Sequence, residues 1–270
     1  MVKVSVIMGI YNCASTLQEA LDSLYTQTFQ DFEIILCDDG SKDNTYEVAL
    51  ENAQLHKNIV LLRNEKNLGL NATLNKCLEV AQGEYIARMD GDDVSLPTRF
   101  EKQIKFLKEH PDLSLVSCPM IMFDETGDWG RTYSIEFPEK KDFLNHAPFF
   151  THAAVMIKRT VYTIVGGYTI GERYLRVEDC NLWYKIYAAG YKGGNLLEPL
   201  YKMRDDRSAT GRRNIKSRIN GIYVTYDGFR MLNYPWYCYL YLIRLVILDT
   251  IKCMLPSFIY EYIHRKKRKI

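Results

Sequence analysis

Three carboxylates in four residues, Asp90, Asp92 and Asp93, follow a short apolar segment at 84–87 and precede Leu96-Pro97. Like charges so close repel, and a fold tolerates them most readily with a positive charge among them. A hard divalent cation, Mn2+ or Mg2+, suits such a set because it takes oxygen ligands and bridges to phosphates. The competing reading is a solvated turn, since Asp-Gly is a common turn pair. An EF-hand calcium loop fits poorly. Counted from Asp90, Val94 and Ser95 stand at positions five and six, where an oxygen ligand and glycine are expected. Two other apolar runs end in Gly9-Ile10-Tyr11-Asn12 and in Cys37-Asp38-Asp39-Gly40-Ser41. If these runs are parallel strands, their ends meet the Asp90 loop at one sheet edge, where open α/β sheets bind ligands. Tyr11 then offers an aromatic face to a base and Asp39 an acceptor for a base N–H. Asp90 and Asp92 could hold a ribose hydroxyl and a metal-bound diphosphate. The set suits a nucleoside diphosphate.

The elements that must position these residues are readable in the apolar patterning. Segments 4–8, 32–37, 59–62, 85–88 and 113–117 predict strands. Helices are predicted at 15–27, with Leu17, Leu21 and Leu24 on one face, at 46–53 with Asp43 as N-cap, at 68–81, and from Pro97 to about residue 109. Strands alternating with helices at this spacing imply an α/β fold with a mostly parallel central sheet flanked by helices. Residues 118–150 suggest a hairpin and loops. A strand at 153–157, a short helix ending near Gly166-Gly167, a helix at 179–189 with Gly190 as C-cap, and a strand at 196–203 follow.

The chain has 270 residues, room for one sizeable core or a core plus an accessory segment. Its seven cysteines are scattered without a CxxC pair, which argues for reduced thiols and a cytosolic setting. No secretory signal or conventional membrane span is expected from the apolar runs. Charge is unevenly placed. Residues 1–207 carry 23 Lys and Arg against 30 Asp and Glu, a balance of −7, whereas residues 208–270 carry 12 against 3, a balance of +9. The second segment is therefore read as a C-terminal helical extension, with helices at 214–232 and 237–254. The later helix carries an apolar stripe at Leu240, Ile243, Ile247, Ile251 and Met254. Five consecutive basic residues at 265–269 beside this Tyr-rich segment favour an anionic membrane surface over nucleic acid as partner. The alternative is a stripe packed on the protein's own core with a solvated tail.

The runs Val4-Ser5-Val6-Ile7-Met8-Gly9-Ile10-Tyr11-Asn12, Asp38-Asp39-Gly40-Ser41, Asn67-Leu68-Gly69 and Gly83-Glu84-Tyr85-Ile86 resemble the family 2 glycosyltransferases. So do the Asp90 loop with Leu96-Pro97, Gly166-Gly167-Tyr168, Glu178-Asp179 with Leu182-Trp183, and Tyr201-Lys202-Met203-Arg204. The resemblance covers residues 2–207. It implies a GT-A fold and inverting transfer from a nucleotide-sugar, with UDP favoured as the nucleotide. By position it implies that Gly9, Tyr11, Asp39 and Asp90 bind the nucleotide, Gly9 through its backbone alone. Asp92 with Asp90 would hold the metal, Asp93 would face the donor sugar, and Arg204 would help to neutralise the diphosphate. Asp179 would be the catalytic base, with Glu178 as alternative. His152 stands where relatives often carry a histidine, and a purely structural role is the competing reading. The implied acceptor is a glycan or lipid-linked oligosaccharide, in bacteria for capsule, O-antigen or exopolysaccharide assembly on the cytoplasmic face of the membrane.

Three rivals share part of this pattern. A polyprenyl-phosphate glycosyltransferase attacks with an already ionised phosphate, so the Glu178-Asp179 pair favours a hydroxyl acceptor instead. A nucleotidyltransferase would need a Gly-rich, basic loop after the first strand, which is not seen. A non-catalytic carbohydrate-binding protein with a relic site would not need the full set of carboxylates.

Overall fold

The computed structural model describes residues 2–145, 149–205, 215–254 and 266. Strand and helix alternate through β1 (Val4–Ile10), α1 (Leu17–Tyr25), β2 (Phe32–Asp38), α2 (Thr45–Leu55), β3 (Ile59–Arg63), α3 (Leu70–Val80) and β4 (Tyr85–Arg88). β1 and β2 are near-continuous apolar runs because helices cover both of their faces. Val4, Val6, Met8 and Ile10 pack with Leu17, Leu21 and Leu24 of α1 on one side. Ile7, Ile35 and Cys37 pack with Leu74 and Cys77 of α3 on the other.

β1 pairs in parallel with both β2 and β4, and β2 with β3. The register sets Ile10 beside Asp38 and Ile7 beside Arg88. Tyr11, Asp39 and Asp90 therefore leave the sheet at one edge, as the sequence pattern anticipates.

The chain continues through β5 (Val94–Ser95), α4 (Arg99–Glu109), β6 (Leu115–Ser117), β7 (Met120–Asp124), β8 (Gly127–Arg131), β9 (Met156–Lys158), α5 (Arg159–Val165), α6 (Glu178–Ala188), β10 (Gly193–Asn195) and β11 (Tyr201–Arg204). The main sheet has the order β10-β6-β9-β4-β1-β2-β3, with β9 antiparallel to both of its neighbours. A four-stranded sheet, β5-β11-β7-β8, lies beside it and contains the anticipated hairpin as β7 and β8.

Three local expectations need correction. Residues 152–154 form a 3-10 turn, so the strand expected from 153 starts at Met156. The strand expected at 196–203 is confined to Tyr201–Arg204. Asp43 is not the N-cap of α2: Asn44 occupies that position, while Asp43 Oδ1 accepts from the Thr45 N–H at 3.1 Å and from the Thr45 hydroxyl.

Two helices follow, α7 (Ile215–Met231) and α8 (Leu240–Met254). Residues 206–214, where the expected domain boundary falls, and the basic run apart from Lys266 lie outside the described residues. α7 buries Asn220, Gly221, Val224, Thr225, Gly228 and Phe229. A Cβ on Gly228 would stand only 2.3–2.4 Å from the Tyr184 ring, so α7 approaches α6 at backbone distance. The α8 stripe behaves differently: Leu240, Ile243 and Ile247 are exposed, whereas Leu245 is buried. Side chains 251 and 254 lie outside the described residues. Among the described residues no helix is long and apolar enough to cross a membrane.

Gly228→Ala gains helix propensity, yet it overpacks a rigid aromatic contact, a defect that typically costs about 1–3 kcal/mol. Thermal denaturation should show a lower Tm for this variant, and an unchanged or raised Tm would separate α7 from the domain's packing.

Candidate active site

The three carboxylates of the Asp90 loop converge, with one oxygen from each lying within 4.8 Å of the others. Asp93 is buried, and its Oδ1 accepts from the Arg204 backbone N–H at 2.8 Å. Its Oδ2 is buried and has no hydrogen-bond partner. Burial, then repulsion from Asp90 and Asp92, pushes the Asp93 carboxyl well above the usual carboxylate range. A crowded, hard-oxygen set with an orphaned buried oxygen fits a divalent cation, which would relieve both the repulsion and the unsatisfied atom.

Protein groups offset part of the charge. Arg88, buried at the end of β4, ion-pairs with Asp90. The Asp90 backbone N–H donates to the Tyr201 hydroxyl at 3.2 Å. Arg204 braces the loop from outside: its Nε donates to the Asp92 carbonyl at 3.1 Å and its Nη2 pairs with Glu19. A second buried guanidinium, Arg99, donates to the Arg88 carbonyl at 2.8 Å and lies over the Tyr201 ring. Strand β11 and helix α4 thus hold the loop that β4 delivers.

Glu178 and Asp179 open α6, where the helix N-terminus favours negative charge. Burial and the neighbouring Asp179 nevertheless push Glu178 up to about 7. Burial also raises Asp179, opposed by the Cys180 backbone N–H, which donates to its Oδ1 at 2.8 Å. The positive field of Arg88 acts on both carboxylates, on Asp90 and on Asp93. Arg88 is therefore shared by the acidic loop and the α6 pair. Its role escaped the sequence reading, although an arginine two residues before an acidic cluster was in view.

Near the same point His152 shares a 2.8 Å hydrogen bond with the Tyr168 hydroxyl and meets the Trp183 ring edge-on. Burial, with Arg88 adding to it, drives its pKa well below the usual value, so the ring is neutral. That is the environment of a satisfied structural histidine.

A cavity of about 420 Å³ lies along the edge between β1, β2, α3 and α7. Gly9, Tyr11, Asp39, Asn67 and Gly69 line one part, and Arg176, Glu178, Lys216, Ser217 and Asn220 another. Tyr11 is exposed, with its ring available for stacking. A Cβ at Gly9 would come within 3.0 Å of Leu70 and 3.2 Å of Thr73, so only its backbone faces the cavity comfortably. Asp39 is largely committed. Its Oδ1 accepts from Asn64 Nδ2 at 2.9 Å and the Leu68 N–H at 2.8 Å, and its Oδ2 from the Gly69 N–H at 2.9 Å. Each carboxylate oxygen accepts about two hydrogen bonds, which leaves one position on Oδ2 for a ligand N–H. The contribution of α7 to this wall was not anticipated, because 208–270 was read as an extension.

Such a sheet edge, with a nucleotide-sized cavity beside a cation-competent acidic loop, defines a GT-A type of nucleotide-sugar enzyme. Residues 5–176 match the model of glycosyl transferase family 2, and the chain belongs to that family. It is 38% identical over 266 residues to EpsE of Bacillus subtilis (strain 168), which is named as a glycosyltransferase; the match covers 98% of this chain and 94% of EpsE. It is 32% identical over 272 residues to the UDP-Gal:alpha-D-GlcNAc-diphosphoundecaprenol beta-1,3-galactosyltransferase of Escherichia coli, covering 98% and 96% of the two chains. Among solved structures, Staphylococcus aureus TarS 1–349 in complex with UDP-GlcNAc aligns with a TM-score of 0.70 at 18% identity, over 90% of this chain and 71% of that one. The mannosyltransferase PcManGT from Pyrobaculum calidifontis, in complex with GDP-Man and Mn2+, aligns with a TM-score of 0.64 at 18% identity, over 97% and 79%. These two likenesses establish the shared fold.

With Glu178 as the base, activity would carry an acid limb. Glu178 is protonated below its raised pKa and ionised above it, so kcat/KM should climb with pH and level off above about 7. Glu178→Gln should remove the bend near 7 in a pH–rate profile; an unchanged bend would assign it to another group.

Proposed function

We propose that this chain is an inverting glycosyltransferase that moves a sugar from a UDP-sugar to a hydroxyl of a lipid-linked glycan, with a divalent cation at the acidic loop. The observation that carries the reading is the converging acidic triad, ion-paired to buried Arg88, whose charge also acts on the Glu178–Asp179 pair. The E. coli relative supports the substrate class, since its name specifies UDP-Gal and a diphosphoundecaprenol-linked GlcNAc.

In this reading Tyr11 stacks on the base, Asp39 accepts from it through its remaining position, and Gly9 lets it approach the backbone. Asp92 and Asp90 hold Mn2+ or Mg2+, with Asp90 also reaching the ribose. When bound, the cation neutralises negative charge developing on the leaving diphosphate. Asp93 orients the donor sugar, held in place by the Arg204 backbone N–H. Arg204 steadies the loop and adds positive charge beside the diphosphate. Asp179 takes the proton of the acceptor hydroxyl as that oxygen attacks the anomeric carbon from the face opposite the diphosphate. A direct displacement of this kind inverts the anomeric centre. Glu178 is the alternative base, and it lines the cavity directly.

The same proposal places residues 1–207 as the catalytic domain and 208–270 as the segment that meets an anionic membrane surface from the cytoplasmic side. Its support is the +9 balance of that segment together with exposed Trp236, Tyr237, Leu240, Ile243 and Ile247. α7 belongs to both parts, because it also lines the cavity.

Turnover of UDP-, GDP- and dTDP-sugars, followed as nucleotide release and as product on a GlcNAc-diphosphate lipid acceptor, tests the reading. Transfer should occur from a UDP-sugar with inversion. Asp179→Asn should lower it by about 10²–10⁴-fold while leaving donor binding intact. Strong transfer by that variant would remove Asp179 as the base.

A further inference from the structure

The α7 end of the cavity carries two cations that the donor reading does not use. Arg176 and Lys216 line it, together with Leu175, Ser217 and Asn220. Arg176 has φ +68, a left-handed conformation that is uncommon for a bulky side chain and that clusters at ligand-binding sites. The loop that bears it is fastened to α7: Asn220 Nδ2 donates to the Glu172 carbonyl at 2.9 Å and to the Leu175 carbonyl at 3.2 Å. Among the described residues Lys216 pairs at the surface with Glu172 at 3.0 Å, and both side chains are largely exposed. An exposed pair of this kind is weak, so Lys216 can exchange Glu172 for a stronger anion at little cost.

An apolar track begins beside these cations. Ile215, Ile219 and Tyr223 recur every four residues on the exposed side of α7, one position from Lys216 and Asn220. The Arg173 guanidinium lies over the Tyr223 ring at 4.9 Å. Tyr226, next along, meets Tyr239 at 5.7 Å, which links the track to the exposed Leu240, Ile243 and Ile247 of α8. A cationic pocket at the head of an apolar track matches a diphosphate on a long hydrocarbon chain. Glu178, in the same cavity, puts the reacting edge next to that head.

We propose that Arg176 and Lys216 form the subsite for the diphosphate of a lipid-linked acceptor, whose hydrocarbon chain runs along Ile215, Ile219 and Tyr223. The assignment rests on the lipid-linked acceptor proposed above and adds where its head group is held. The two cations neutralise the diphosphate, Arg176 from the loop that Asn220 fastens to α7 and Lys216 by leaving Glu172. The donor's own diphosphate sits at the acidic loop, so the two anions occupy separate sites. Membrane contact through α7 and α8 would then deliver the acceptor head directly to the cavity.

Farnesyl diphosphate, which has the anion and the chain but no sugar, is the probe. Calorimetry on the full chain, with UDP and Mn2+ saturating the donor end, should show it binding, and farnesol should bind far more weakly. The double variant Arg176→Gln, Lys216→Gln should weaken farnesyl diphosphate at least tenfold and leave UDP affinity within about twofold. Lys216→Arg should keep most of the binding, and the Tm of each variant reports that it is folded. Competition between UDP and farnesyl diphosphate would place the cations in the donor site and overturn the proposal. Equal binding by the double variant, or no binding by the wild type, would overturn it as well. Failure of UDP itself to bind is a separate readout and would strike the donor reading instead.

Discussion

The repulsion among Asp90, Asp92 and Asp93 is the constraint around which this end of the molecule is built. Their oxygens crowd within 4.8 Å, and one of them, Asp93 Oδ2, is buried without a partner. A loop so arranged is costly unless positive charge is close. The protein brings that charge from several elements. Arg88 comes from the end of β4 itself and Arg204 from β11, and the Tyr201 hydroxyl accepts from the Asp90 backbone N–H. The small sheet β5-β11-β7-β8 therefore has a purpose beyond packing, since β11 pairs antiparallel to β5 just after the acidic loop and fixes Arg204 against it. What the protein does not neutralise is the share a cation would take.

The same guanidinium ties this loop to the proposed chemistry. Arg88 is buried and stays protonated, so its field reaches Glu178, Asp179 and His152 with little screening by water. Burial keeps His152 neutral and Arg88 adds to that, while the same charge offsets part of the burial that raises the α6 carboxyls. Burial, with Asp179 beside it, brings Glu178 up to about 7, and Arg88 opposes that rise while it ion-pairs with the acidic loop. Glu178 of the α6 pair and Lys216, Ser217 and Asn220 of α7 share one cavity with Tyr11 and Asp39.

Much of this was legible in the sequence, for identifiable reasons. The alternation from β1 to β4 could be read because buried parallel strands are continuous apolar runs and the covering helices carry stripes such as Leu17, Leu21 and Leu24. The Asp90 loop could be read because charge crowding is visible without a structure, and register alone then brought Tyr11, Asp39 and Asp90 to one edge. Strand β9 was placed within a few residues, but its antiparallel direction comes from tertiary pairing that periodicity does not encode. β10 was missed because Gly193 and Gly194 have no strand propensity. They are glycine because the Phe150 and Phe106 side chains approach them within 2.6 and 2.8 Å of where a Cβ would stand. The role of α7 was hidden by composition, since the basic, aromatic character of 208–270 describes its exposed face and not the buried Asn220, Gly228 and Phe229.

The central claim is that the acidic loop binds the donor nucleotide through a divalent cation. Calorimetric titration of UDP into the protein with Mn2+, and again with the cation chelated, tests it most directly, with Asp92→Asn run in parallel. The account predicts tight binding only when Mn2+ is present, and loss of that metal dependence in the variant. Equal UDP affinity with and without the cation would contradict it.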